Sequence, residues 1–96
     1  MKRIPLDDLI EGNKYILIHR NKNNVVDEMY EVEYIGGYRD NDKLYATILK
    51  VYKMTKKYVE RKKGDIVDII DSSSGNVDEF YEINDGNLDE LMAILL

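Results

Sequence analysis

Tyr30-Glu31-Val32-Glu33-Tyr34-Ile35-Gly36-Gly37-Tyr38, followed after Arg39 to Asp42 by Lys43-Leu44-Tyr45-Ala46-Thr47-Ile48-Leu49-Lys50-Val51, is the stretch that decides the fold. Tyr30, Val32 and Tyr34 alternate with Glu31 and Glu33, the period-two pattern of a half-buried strand. With Arg39 to Asp42 as a four-residue loop, Tyr38 faces Lys43. That register places Glu31 opposite Lys50, Tyr30 opposite Val51, Val32 opposite Leu49 and Tyr34 opposite Thr47. A one-residue slip would turn the glutamates toward the core, so the pattern selects its own register. Gly36-Gly37 marks a bulge or sharp bend, where a sheet can curl.

The same punctuation recurs along the chain. Gly, Asn and Asp clusters at Glu11-Gly12-Asn13, Asn21 to Asn24, Gly64-Asp65, Ser72 to Asn76 and Asn84 to Asn87 separate runs rich in Val, Ile and Tyr. Strands are expected near 14–20, 28–38, 43–54, 58–63, 65–71 and 77–83. At the C-terminus the period changes. Leu88, Leu91, Met92 and Leu95 fall at i, i+3, i+4 and i+7, one face of a helix over about 87–96. Asn87 suits its N-cap and Glu90 the capping-box position. The end of this helix, Ala93-Ile94-Leu95-Leu96, is apolar all round. It belongs in the core of its own fold or in an interface, such as a homodimer contact through Ile94, Leu95 and Leu96.

The fold class expected is mainly β: one small antiparallel β-barrel of five to six strands with a short C-terminal helix, in a single domain spanning 1–96. Leu9-Ile10-Glu11-Gly12-Asn13-Lys14-Tyr15-Ile16-Leu17-Ile18 resembles the opening of SH3-like barrel proteins, in which a short turn and a Gly lead into the first strand. Tyr34-Ile35-Gly36-Gly37-Tyr38 and Leu44-Tyr45-Ala46-Thr47-Ile48-Leu49 resemble the next hairpin of such barrels. The resemblance covers the first half of the chain. Small proteins of this look occur in large DNA viruses and phages. The resemblance implies a binding module and not an enzyme, and it transfers no functional residue.

Composition narrows the chemistry. The chain has 96 residues with 14 Lys+Arg, 19 Asp+Glu, one His, no Cys and no Trp. Without Cys there are no disulfides, Cys-ligated zinc sites, iron–sulfur clusters or thiol catalysis. One His excludes sites that need two imidazoles. No stretch reaches the length of a membrane span, and Met1-Lys2-Arg3-Ile4-Pro5 is not followed by the apolar region of a signal peptide. The reading is of an intracellular, cytoplasmic protein that needs no cofactor. Lys, Asn, Ile and Tyr are heavily used, and their AT-rich codons accord with a phage, viral or low-GC bacterial genome.

Charge is segregated. Residues 1–49 carry a net −2, residues 50–63 a net +6, and residues 64–96 a net −9 with no Lys or Arg. The basic band, with Lys53, Lys56, Lys57, Arg61, Lys62 and Lys63 beside Tyr52 and Tyr58, has two readings. It supplies phosphate contacts and stacking rings for nucleic acid, or, if 58–63 turns at Lys63-Gly64 and pairs with 65–71, it is a solvated face neutralised by Asp65 and Asp68. The acidic third offers Asp65, Asp68, Asp78, Glu79 and Glu82 to a basic protein partner, or it is an ordinary soluble edge. Tyr38, Tyr45 and Tyr52 are candidates for an exposed interaction cluster, although a Tyr serves more often in a core.

Three other patterns are weak. Asp85 to Glu90 has the alternating oxygens of a calcium loop but lacks its Gly, and a helix cap explains it better. Ser72-Ser73-Ser74-Gly75 lacks a Walker lysine and reads as a hairpin loop. His19 has no partner nearby in sequence and reads as a structural or surface residue. The function expected is a non-enzymatic protein-binding module, with no catalytic residues and no metal ligands, of the adaptor or host-factor-inhibitor kind. The alternative is nucleic-acid binding through the band at 50–63.

Overall fold

The computed structural model describes residues 2–38, 43–54, 61–69 and 77–95, apart from the side chains of Tyr38, Ile94 and Leu95. Five antiparallel strands form one curled, half-barrel sheet: β1 (Lys14–Arg20), β2 (Val26–Tyr38), β3 (Lys43–Met54), β4 (Ile66–Ile69) and β5 (Val77–Tyr81). The order across the sheet is β4-β3-β2-β1-β5, so the last strand pairs with the first. One helix, α1 (Asp85–Leu95), follows.

Period-two alternation sorts the side chains onto two faces. The inner face receives Tyr15 and Leu17 of β1, Tyr30, Val32 and Tyr34 of β2, Ala46 and Ile48 of β3, Val67 of β4 and Phe80 of β5. Ile4, Leu6 and Leu9 of the N-terminal segment pack on this core, and Ile4 forms a single bridge to Phe80. Tyr15 meets Phe80 edge-on, with ring centroids 6.0 Å apart and planes at 88°, a geometry worth about 0.5–1.5 kcal/mol beyond area burial. On the outer face, Ile16, Ile18, Val26, Met29 and Tyr81 form a second cluster, capped by Ile83, Leu88 and Leu91. Helix α1 therefore covers the β5–β1–β2 part of the outer face.

The β2–β3 hairpin starts and ends in the expected register, with Tyr38 opposite Lys43, Glu31 opposite Lys50 and Tyr30 opposite Val51. Between these points it departs. Val32 faces Ile48 and not Leu49, and Tyr34 faces Ala46 and not Thr47. Leu49 on β3 and Ile35 on β2 are extra residues at two bulges that offset each other. The bulges let Ala46 and Ile48 reach the inner core with Leu44, where strict alternation would have left Thr47 and Leu49. A third shift makes Tyr52 the extra residue and places it in the outer cluster. The two glycines are required here. Gly36 has φ +89°, and a Cβ on Gly37 would lie 2.2 Å from the Lys43 carbonyl oxygen.

Two other expectations are corrected. The turn at Lys63-Gly64 forms, with Gly64 at φ +94°, and among the described residues β4 pairs with Leu44 to Thr47 of β3. Val67 and Ile69 each have an apolar core to enter beside β3, whereas the strand expected at 58–63 is a lysine-rich run. Of that run, residues 58–60 lie outside the described residues, and 61–63 are not a strand. The helix starts earlier than 87. Asn84 is its cap: Oδ1 accepts the Asn87 amide at 2.8 Å and the Asn84 carbonyl accepts the Leu88 amide at 3.0 Å. Asp85 then stands in the first turn, at the positive end of the helix dipole. Leu88 and Leu91 face the sheet as the spacing predicts, whereas Met92 is 41% exposed. No described helix is long and apolar enough to cross a membrane.

Candidate functional site

Among the described residues, the half of the outer face that α1 leaves uncovered is built by β2, β3 and β4. Register lines up its side chains in rows. Glu31 stands beside Lys50, Glu33 beside Thr47 and Ile66, and Gly36 beside Tyr45 and Asp68. Ile66 points outward because its neighbours Val67 and Ile69 point inward, and it is 62% exposed, the highest value among the large apolar side chains described. A shallow cleft at the β4 edge is lined by Arg61, Asp65, Ile66, Val67 and Asp68. A second is lined by Glu11, Ile35, Gly36, Gly37 and Tyr45. The Glu11 carboxylate sits over Gly36, about 3.1 Å from where a Cβ would stand. The surface thus has an apolar centre at Ile66 with Tyr45 nearby, and five carboxylates, Glu11, Glu31, Glu33, Asp65 and Asp68, that outnumber the cations Lys50 and Arg61 among them.

The sequence-derived acidic set divides between opposite edges of the sheet. Asp65 precedes β4 and Asp68 is on it, whereas Asp78 and Glu79 are on β5 and Glu82 follows it. Asp78 is 4% exposed and bound to His19, so it is not offered to a partner. Glu79 is half-buried, pairs with Arg20, lies 3.9 Å from Arg3 and accepts a hydrogen bond from the Tyr81 hydroxyl. Glu82 is exposed, and its carbonyl accepts from the Asn87 side chain. Among the tyrosines, Tyr45 is on the uncovered half. Tyr52 is half-buried at the margin of the helix-capped cluster, with the Lys50 ammonium 5.0 Å from its ring centre. The Tyr38 side chain lies outside the described residues.

Two described cations of the basic band, Lys53 and Arg61, are engaged within the molecule. Lys53 donates to the Val26 carbonyl at 3.0 Å, and Arg61 lies 3.7 Å from Glu28. The Lys62 amide donates to Asp65 at 3.0 Å, while the Lys62 and Lys63 side chains are exposed. Lys56, Lys57 and Tyr58 lie outside the described residues, as do Leu96 and the side chains of Ile94 and Leu95, which carry the homodimer reading.

A second polar constellation, which sequence reading missed, sits at the end of the inner face. His19, Glu28 and Asp78 are neighbours across β2-β1-β5, with Glu28 and Asp78 both opposite His19. His19 Nδ1–H donates to Asp78 Oδ1 at 2.7 Å. That bond raises the imidazole pKa against the opposing effect of burial, and the charges of Asp78, Asp27 and Glu28 add to the rise. The Tyr30 hydroxyl donates to Glu28 Oε1 at 2.5 Å. Burial, then Glu28, pushes the Tyr30 phenol well above its ordinary pKa. The available sequence signal was the adjacent pair Asp27-Glu28 at a strand start, but the meeting with His19 depends on strand pairing.

Comparison with family models, with curated proteins and with solved structures gives no match to this chain.

Proposed function

We propose that this protein is a non-enzymatic binding module that takes a basic protein segment on the uncovered outer face of β2, β3 and β4. The observation that carries this reading is the exposed Ile66 beside Tyr45, within a ring of Glu11, Glu31, Glu33, Asp65 and Asp68. An apolar anchor with carboxylates around it complements a segment that alternates apolar and Lys/Arg side chains. Among the described strands β4 is at an edge of the sheet, where such a segment could add as a further strand. The barrel is read as SH3-like, on the N-terminal turn and hairpin quoted above, and the setting as cytoplasmic. The internal engagement of Lys53 and Arg61 weighs against nucleic acid as the partner.

The test is selection from a random displayed-peptide library, with affinities for the recovered peptides then measured on variants. Recovered peptides should be rich in Lys and Arg, and Asp68→Lys or Ile66→Asp should weaken them at least about tenfold, a loss on the scale of an interface hot spot. Acidic peptides, or affinities indifferent to both variants, would overturn the assignment. Fluorescence anisotropy with labelled RNA and DNA should detect no saturable binding at physiological salt. Tight, steeply salt-dependent binding would instead make this a nucleic-acid module.

A further inference from the structure

We propose that His19, Asp27 and Glu28 form a binding site for a first-row divalent metal ion, of which zinc is the fitting member, with Asp78 holding the histidine in place. One ring nitrogen of His19 and one carboxylate oxygen each from Asp27 and Glu28 lie within 4.8 Å of one another. Ligand atoms about 2.0–2.2 Å from a shared ion stand no more than about 4.4 Å apart, so a small rotation of the side chains would bring the three into its shell.

The backbone explains how two consecutive acids reach one imidazole. On a regular strand, Asp27 and Glu28 would point to opposite faces. Here the β1–β2 ladder shifts between His19 and Arg20: His19 faces Glu28, Arg20 faces Val26, and Asp27 is the extra residue of a bulge. Bulges of this kind re-aim a side chain. One Asp27 carboxylate oxygen is fully buried, in a setting where attraction to a cation is stronger than in water.

Asp78 supplies the supporting interaction that metal-bound histidines usually have. In a carboxylate–histidine–metal arrangement the carboxylate holds one ring nitrogen and the ion takes the other. Asp78 is 4% exposed and accepts the Nδ1 proton, which leaves Nε2 for the ion. Among the described residues, Tyr30 and Arg61 both approach Glu28 at Oε1, which leaves Oε2 for coordination. One imidazole and two carboxylates favour zinc over magnesium, which prefers an all-oxygen shell. The site joins β1 to β2, so an ion there would clamp the end of the barrel.

The test is calorimetric titration of the untagged, chelator-treated full chain with zinc chloride and, separately, with magnesium chloride. Saturable zinc binding at one equivalent is expected, with magnesium at least about tenfold weaker. Asp27→Asn and His19→Gln should each weaken zinc at least about tenfold, and Asp78→Asn should do so by about 10–100-fold. Zinc should also move the His19 Nε2 resonance of the wild-type chain in a long-range proton–nitrogen NMR spectrum, a reading that requires no variant to fold. The absence of saturable zinc binding, or binding that leaves the His19 resonances unmoved, would overturn the site.

Discussion

The two ends of the sheet treat the same residue type in opposite ways. Asp78 on β5 is buried and bonded to His19 at 2.7 Å, whereas Asp68 on β4 is exposed beside Tyr45. Both belong to one acidic third of the sequence, and both follow an apolar residue in a short strand. Both strands end the sheet, and they differ in the face that the acid occupies: Asp78 shares the inner face with Phe80, where His19 meets it, while Asp68 lies on the outer face because its neighbours Val67 and Ile69 turn inward. Charge in a sequence therefore indicates supply but not use. At β5 the carboxylate organises a polar cluster inside the fold; at β4 it remains available to a partner.

The largest expected effect tests that contrast directly. Asp78→Ala should cost about 3 kcal/mol or more, because it leaves His19 without its buried partner. Asp68→Ala should stay within about 0.5 kcal/mol, as exposed substitutions do. Urea denaturation of the two variants provides the comparison, and equal losses would break it. Next, Gly37→Ala should destabilise by about 2–3 kcal/mol, since its methyl would collide with the Lys43 carbonyl. Because this glycine shapes the hairpin that carries the uncovered face, its variant should also weaken peptide binding, whereas a helix-cap variant should not. That cap variant, Asn84→Ala, should cost about 1 kcal/mol by freeing the Asn87 amide, measurable as a lowered Tm.

The smallest effect is a pH dependence on the covered side. Burial, and then Glu79, raises the pKa of Tyr81 beneath the helix. Burial raises Tyr34 and Tyr52 as well, with Glu11 adding to the first and Glu31 to the second. A phenol whose pKa is higher in the folded than in the unfolded chain contributes stability that is full below the unfolded value, near 10, and is lost as pH rises through the folded value. The urea midpoint should therefore fall above about pH 10, with tyrosinate absorbance appearing late. A midpoint that is flat through that range would contradict the burial assigned to these rings.

Much of the fold was legible in the sequence. Strand β1 occupies residues 14–20 as expected, and the hairpin's Tyr38–Lys43 and Glu31–Lys50 pairs followed from a four-residue loop at Arg39 to Asp42, the second surviving because two bulges offset each other. The bulges were not legible beyond the Gly36-Gly37 signal, because Leu49 and Ile35 become extra residues only when Ala46 and Ile48 compete for the inner core. The partner of β4 was misread because a turn at Gly64 suggests a local hairpin, while burial of Val67 beside Ala46 favours a distant strand. Of the candidate surface, Tyr45, Asp65 and Asp68 were chosen from sequence, but Ile66, Glu11 and Glu33 join them only through register. His19 was legible as a residue and not as a site, since Glu28 and Asp78 reach it from two different neighbouring strands.

The central claim is that the uncovered outer face, and not the β5 end, receives the partner. Amide chemical-shift mapping with the tightest library-selected peptide tests it most directly. The account expects the largest shifts at Tyr45, Thr47, Ile66, Val67 and Asp68. Shifts centred on Val77 to Tyr81 or on α1, with β4 unmoved, would contradict it.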